Sequence, residues 1–123
     1  MTKILIVEDD PFLSKMYKKK FEVGGFEVQV AEDGVSGLEK MKSFTPDLVL
    51  MDIMMPKLNG IEAMEKAKAD PSLSKIPVLI LTNLSTAADA SMAVKKGAAG
   101  FLVKSDVTPA QVVAKTKSIL KIN

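Results

Sequence analysis

Uninterrupted apolar runs, spaced by amphipathic stretches, set the pattern of this chain. Lys3-Ile4-Leu5-Ile6-Val7, Leu48-Val49-Leu50-Met51 and Pro77-Val78-Leu79-Ile80-Leu81 show no alternation, which predicts strands covered on both faces, as in a parallel sheet. Phe26-Glu27-Val28-Gln29-Val30 does alternate and reads as a strand wet on one side, hence at a sheet edge. Phe101-Leu102-Val103, preceded by Gly97 and Gly100, is a fifth strand. Between the strands the period changes. Asp10-Pro11 is an N-cap followed by proline at the first helical position, and the helix it opens places Phe12, Leu13, Met16, Tyr17 and Phe21 inward before stopping at Gly24-Gly25. Glu32 to Met41 carries a weak helical stripe of Val35, Leu38 and Met41. Asn59-Gly60 turns into a third helix with Ile61, Met64 and Ala67 inward, ending before Asp70-Pro71. A fourth helix, from about Thr86 to Lys96, is built of small residues; it buries little area and is expected to be the least firmly held. Thr108-Pro109-Ala110-Gln111 has the form of a capping box, and Val112, Val113, Thr116, Ile119 and Leu120 mark the inner face of a fifth helix.

Five strands alternating with five helices predict right-handed crossovers and a parallel sheet covered on both sides. The edge strand is the second, and the first, third and fourth are central. That assigns an α/β fold of the flavodoxin-like (βα)5 type, a doubly wound sheet in the order 2-1-3-4-5, with its switch point between strands one and three. The 123 residues are read as one domain, residues 1–123, large enough to bury a core without staples.

Composition narrows the chemistry. With no cysteine there is no disulfide framework and no thiolate metal site, which suits a reducing cytoplasm. With no histidine the commonest general base and imidazole metal ligand is missing too. Lys and Arg number 17 against 15 acids, a net charge of +2, too balanced to suggest direct nucleic-acid binding. No apolar run approaches the roughly 18 residues of a membrane span. The lysines at 15 and 18–20 read as the solvated face of a helix.

The strand ends carry the candidate chemistry. Strand one runs into Glu8-Asp9-Asp10 and strand three into Asp52, after which Met54-Met55-Pro56 forces an irregular loop. Glu8, Asp9 and Asp52 therefore meet at the switch-point crevice. Two unit charges about 5 Å apart at an effective dielectric near 20 repel by on the order of 3 kcal/mol. Either one acid is protonated or a hard divalent cation neutralises the group, and an oxygen-only ligand set suits Mg2+ or Mn2+. At the same edge strand four delivers the hydroxyl of Thr82 and strand five the ammonium of Lys104. Carboxylate, metal, hydroxyl and fixed cation together suit a transferable phosphoryl group, whose transition state needs charge stabilisation above all. Taken singly, Asp52 or Thr82 reads as a loop cap and Lys104 as a surface lysine; their convergence is the signal.

Ile4-Leu5-Ile6-Val7-Glu8-Asp9-Asp10, Met51-Asp52-Ile53-Met54-Met55-Pro56 with Asn59-Gly60, Leu81-Thr82-Asn83 and Phe101-Leu102-Val103-Lys104 closely resemble the segments of response-regulator receiver domains of two-component signalling. The resemblance covers essentially the whole chain. It implies a signalling domain rather than an enzyme, with Asp52 as acceptor of a phosphoryl group from the phosphohistidine of a histidine kinase or phosphotransfer protein. It further implies Mg2+ held by Asp9 and Asp52 directly, by Glu8 through water and by the backbone carbonyl of Met54. Thr82 and Lys104 would hold phosphoryl oxygens, and Phe101 would be the aromatic switch residue that follows Thr82. The implied output face is helix four, strand five and helix five, where Lys95, Lys96, Lys115 and Lys117 would meet an effector or a second copy, either in a stand-alone receiver or in part of a longer regulator. Three positions depart from the family's habit. Ser105 stands where proline usually follows the lysine, Phe101 lacks a tyrosine's hydroxyl, and Met54 and Leu84 flank the site with apolar bulk, which predicts a long-lived aspartyl phosphate. The enzymatic rival, a Mg2+-dependent aspartyl phosphatase of the haloacid dehalogenase type, needs a second acid where Met54 stands. A flavodoxin-like flavin carrier would have its phosphate repelled by Glu8-Asp9-Asp10.

Overall fold

The structure, a computed structural model, describes residues 1–83 and 87–123. In chain order it contains β1 (Lys3–Val7), α1 (Pro11–Val23), β2 (Glu27–Ala31), α2 (Gly34–Phe44), β3 (Leu48–Met51), α3 (Gly60–Ala69), β4 (Val78–Thr82), α4 (Ala87–Lys95), β5 (Gly100–Val103), a 3-10 turn (Lys104–Asp106) and α5 (Pro109–Leu120). The strands form one parallel sheet in the order β2-β1-β3-β4-β5, as the apolar pattern predicts.

Successive strand residues point to opposite faces, so each strand feeds two cores. Leu5, Val7, Val49, Met51, Val78 and Ile80 pack under Met41 and Phe44 of α2, Ile61, Ala63, Met64 and Ala67 of α3, and Ala93 of α4. Ile4, Ile6, Leu48, Leu50, Leu79 and Leu81 pack under Tyr17 and Phe21 of α1 and Val112 and Val113 of α5. Phe26, just ahead of β2, sets its ring edge-on to Phe21, centroids 5.4 Å apart. Every residue of β3 and β4 is buried.

The ends of the helices are specified locally. Asp10 accepts the amides of Phe12 and Leu13 at the start of α1, and reciprocal capping boxes start α3, through Asn59 and Glu62, and α5, through Thr108 and Gln111. The cap of α2 is Asp33, which the sequence pattern did not single out. Its carboxylate accepts the Ser36 amide at 2.8 Å, and this hydrogen bond is the main reason its pKa lies below the ordinary 3.8. A depressed carboxyl stabilises the fold above its unfolded pKa and loses that contribution as pH falls through the folded value. The stability difference between the wild type and Asp33→Asn should therefore be constant from pH 5 to 7 and shrink below about pH 4, as denaturant melts across that range will show.

Several side chains depart from expectation. Phe12 is 75% exposed, not inward: five residues at about 100° each put it roughly 140° around α1 from the buried Tyr17. Ser14 takes an inward place instead. Val35 is 42% exposed: six residues at about 100° each put it roughly 120° around α2 from Met41, on a helix that turns Gly37, Met41 and Phe44 inward. Ile119 and Leu120 are only partly buried. Thr116 is buried as expected, its Oγ1 without a hydrogen-bond partner among the described residues. Thr86 and Leu84 lie outside the described residues. Ser105 sits in the 3-10 turn, and no cis peptide bond occurs among the described residues.

Candidate functional site: an acidic cluster at the sheet edge

Register brings the charged residues together. Val7 pairs with Met51, so Glu8 and Asp52, the next residue on each strand, stand side by side. The Asp52 amide donates to the Val7 carbonyl at 3.1 Å and the Glu8 amide to Ala31 at 3.0 Å, extending the ladder one step past each strand. On β4, the next strand across from β3, Thr82 pairs with Val103 of β5, and Lys104 follows directly. Short apolar strands that end in register thus deliver Glu8, Asp52, Thr82 and Lys104 to one edge.

Glu8, Asp9 and Asp52 each offer a carboxylate oxygen within 4.8 Å of the other two. Glu8 and Asp52 are only 5% and 7% exposed, whereas Asp9 faces solvent. Three hard oxygen donors this close suit a divalent cation such as Mg2+ better than any softer metal. Burial raises the Glu8 carboxyl above its usual range, and its hydrogen bond with Lys104 offsets this only in part. Asp9 also lines a cleft of about 400 Å3 with Ile53, Met54, Met55 and Asn59. Met54, 65% exposed, stands at its rim.

A proton or a metal was the expected remedy for crowding; the structure supplies a third. The Lys104 ammonium donates to Glu8 and, at 2.8 Å, to Asp52. Its side chain is as enclosed as theirs. Burial disfavours the ammonium, yet the hydrogen bonds to Asp52 and Glu8 outweigh it and raise the Lys104 pKa. Tyr17 is near enough to feel all three: burial raises its phenol pKa, Lys104 opposes, and Glu8 and Asp52 add to the rise. Its helical spacing marked it only as core.

Thr82 is 1% exposed at the end of β4, and Phe101 packs half-buried against the core shared by α2, α3 and α4. The sequence pattern also missed what supports the acids. A Cβ on Gly60 would lie 1.9 Å from the Asp52 carbonyl oxygen, so α3 starts in direct contact with the backbone of Asp52. Asn59-Gly60 marks the turn, but nothing local shows what the glycine touches.

A family model described as the response regulator receiver domain matches residues 4–117. The chain belongs to that family. Among curated relatives of this receiver domain, the DNA-binding dual master transcriptional regulator RpaA of Synechocystis is 34% identical over 122 residues, covering 98% of this chain and 50% of the relative. The CpxR homolog of Haemophilus influenzae is 35% identical over 121 residues, 98% of this chain and 51% of the relative. The chain thus spans about half the length of the curated relatives it matches. Among solved structures, the receiver domain of Francisella response regulator 1452 superimposes with a TM-score of 0.91 at 26% identity, covering 98% of each chain. Chemotaxis protein CheY4 of Vibrio cholerae gives 0.90 at 26%, covering 97% of this chain and 98% of that one. The phosphatase alternative finds no support among these relatives, and Met54 still lacks the acid it requires. No helix among the described residues is long and apolar enough to cross a membrane.

Proposed function

We propose that this receiver domain, residues 1–123, accepts one phosphoryl group on Asp52 from a phosphohistidine and returns to rest by hydrolysis, without turnover of a separate substrate. The observation that carries the reading is the cluster itself: an enclosed Asp52 carboxylate shares one ammonium with Glu8, and Asp9 completes an acidic triad around it. In the transfer an Asp52 oxygen attacks phosphorus; the P–N bond to the donor imidazole breaks as the P–O bond forms, and the imidazole leaves with a proton from water. Asp9 and Asp52 would hold Mg2+ directly, Glu8 through water and Met54 through its carbonyl, supplying positive charge where the phosphoryl oxygens gather. Lys104, already hydrogen-bonded to Asp52, is placed to follow the new negative charge. The Thr82 hydroxyl would take a second phosphoryl oxygen, and Phe101, with no hydroxyl, would report the change through packing alone. The donor is a histidine kinase or phosphotransfer protein. The output face is α4, β5 and α5, where an effector or a second copy docks; Lys96 there is already paired with Glu65 of α3 at 3.1 Å, leaving Lys95, Lys115 and Lys117 to give the face its charge. The setting is the cytoplasm, with no membrane and no direct nucleic-acid partner for this domain.

Incubation with a small acyl phosphate and Mg2+, followed by mass spectrometry of the intact and digested protein, tests the assignment. One phosphoryl group on Asp52 is expected, absent in Asp52→Asn and after chelation. The label should be lost slowly, because apolar Met54 orients no water at the rim. Continuous hydrolysis of the acyl phosphate without retained label, or label on another residue, would overturn the reading.

A further inference from the structure

The residues 53–59 that join β3 to α3 carry Met54 and wall the acidic cleft, yet the helix they lead into does not by itself account for how they are held. The loop closes on itself at its base, where the Gly60 amide donates to the Ile53 carbonyl at 2.8 Å. At its far end it rests on a different element, the first turn of α2. A Cβ on Gly34 would lie 2.3 Å from the Leu58 carbonyl oxygen and 2.9 Å from the Leu58 Cβ, so the Gly34 backbone lies directly against the backbone and Cβ of Leu58. Beside this contact Lys57 takes a left-handed conformation, φ 69°, and its ammonium reaches Asp33 at 3.6 Å. Asp33 is the cap of α2: one carboxylate oxygen holds the helix start and the other faces the loop.

We propose that the first turn of α2 is the seat of this loop, with Gly34 and Lys57 acting as positioning residues that set the cation affinity of the Glu8, Asp9 and Asp52 cluster. Neither touches the acids. Gly34 permits the close approach and Lys57 fixes its angle. An added methyl at 34 meets carbonyl oxygen and backbone, which have no rotamer to escape into, so the loop must lift and carry Met54 and the wall of the cleft away from Asp9. The ion pair is open to solvent on its lysine side and worth only a few-fold in affinity; the close packing is the larger contribution. The inference rests on reading the acid cluster as a divalent-cation site.

The test is calorimetric titration of the whole chain with Mg2+, together with the amide chemical shifts of residues 53–59 and a metal-free melt. Gly34→Ala should weaken Mg2+ binding at least tenfold and move the loop amides. Lys57→Glu should weaken it about threefold and Lys57→Arg should restore it. Leu73→Ala, which opens the same core ahead of β4, should lower the melting temperature and leave the affinity of the folded protein alone. Wild-type affinity in both Gly34→Ala and Lys57→Glu overturns the proposal, as does an equal loss in Leu73→Ala. If Gly34→Ala does not fold, the contrast between Lys57→Glu and Lys57→Arg decides. A wild type that takes up phosphoryl label but shows unaltered metal binding in the variants sinks the positioning role alone; a wild type that binds no Mg2+ sinks the functional reading as well.

Discussion

Lys104→Ala should make the stability of this protein strongly dependent on magnesium. In the wild type one ammonium serves two enclosed carboxylates, and no other cation among the described residues is bonded to either. Truncation leaves Glu8 and Asp52 facing each other without a counter-charge. Breaking a buried pair by removing one partner costs about 3 to 5 kcal/mol, and each kcal/mol shifts the melting temperature of a domain this size by roughly 4 °C. A fall of about 10 to 20 °C is therefore expected in chelator at neutral pH. Millimolar Mg2+ should recover most of it, because the cation takes over the neutralising role and binds only the folded state. The wild type should gain much less from the same addition. Calorimetric scans of both proteins with and without Mg2+ decide the matter, and equal metal effects would mean that Lys104 does not neutralise the cluster.

Gly60→Ala should damage phosphoryl acceptance more than any other single methyl addition in the chain. The new Cβ would sit 1.9 Å from the Asp52 carbonyl oxygen and 2.8 Å from its carbonyl carbon, distances that no side-chain rotation relieves. Overpacking of this kind costs about 1 to 3 kcal/mol or more. Either α3 withdraws or Asp52 moves, and a displacement near 1 Å at a reacting group costs on the order of a hundredfold in rate. The rate of label uptake from a small acyl phosphate is expected to drop by about that factor, at temperatures where circular dichroism still shows a folded protein. Gly37→Ala is the comparison. It adds the same methyl 3.1 Å from the two Val7 Cγ atoms, where a few tenths of an ångström of give suffices and no backbone need move, so uptake should fall far less. Equal effects of the two substitutions would deny any special contact between α3 and Asp52, the proposed acceptor.

Much of the fold was legible because the apolar pattern repeats at every level. The unbroken runs at β1, β3 and β4 required cover on both faces, the alternation around Val28 required an edge, and Asp10-Pro11, Asn59-Gly60 and Thr108 to Gln111 announced helix starts through purely local hydrogen bonds. The errors share a cause. Phe12 and Val35 are apolar and so read as inward, whereas their spacing from the buried Tyr17 and Met41, five and six residues at about 100° each, turns them toward solvent. The start of α2 is set by the Asp33 cap, which no Pro or capping-box pattern announces.

The candidate site divides the same way. That acids, a hydroxyl and a lysine terminate strands is written in the order of residues, since each follows directly on an apolar run that must be buried. Which of them touch is not. Lys104 lies 52 positions from Asp52 and 96 from Glu8, and only the parallel register of five strands brings its ammonium between them. The support of the loop by Gly34 and of Asp52 by Gly60 is likewise invisible in the chain, because a glycine announces freedom and not the neighbour that requires it. The amino-acid order alone thus determined the strands, their edge and centre, and the inventory of charges at one end of the sheet, all consequences of local pattern and burial. The tertiary structure alone decided how those charges neutralise one another and what holds their loop in place, because both depend on contacts between segments distant in sequence.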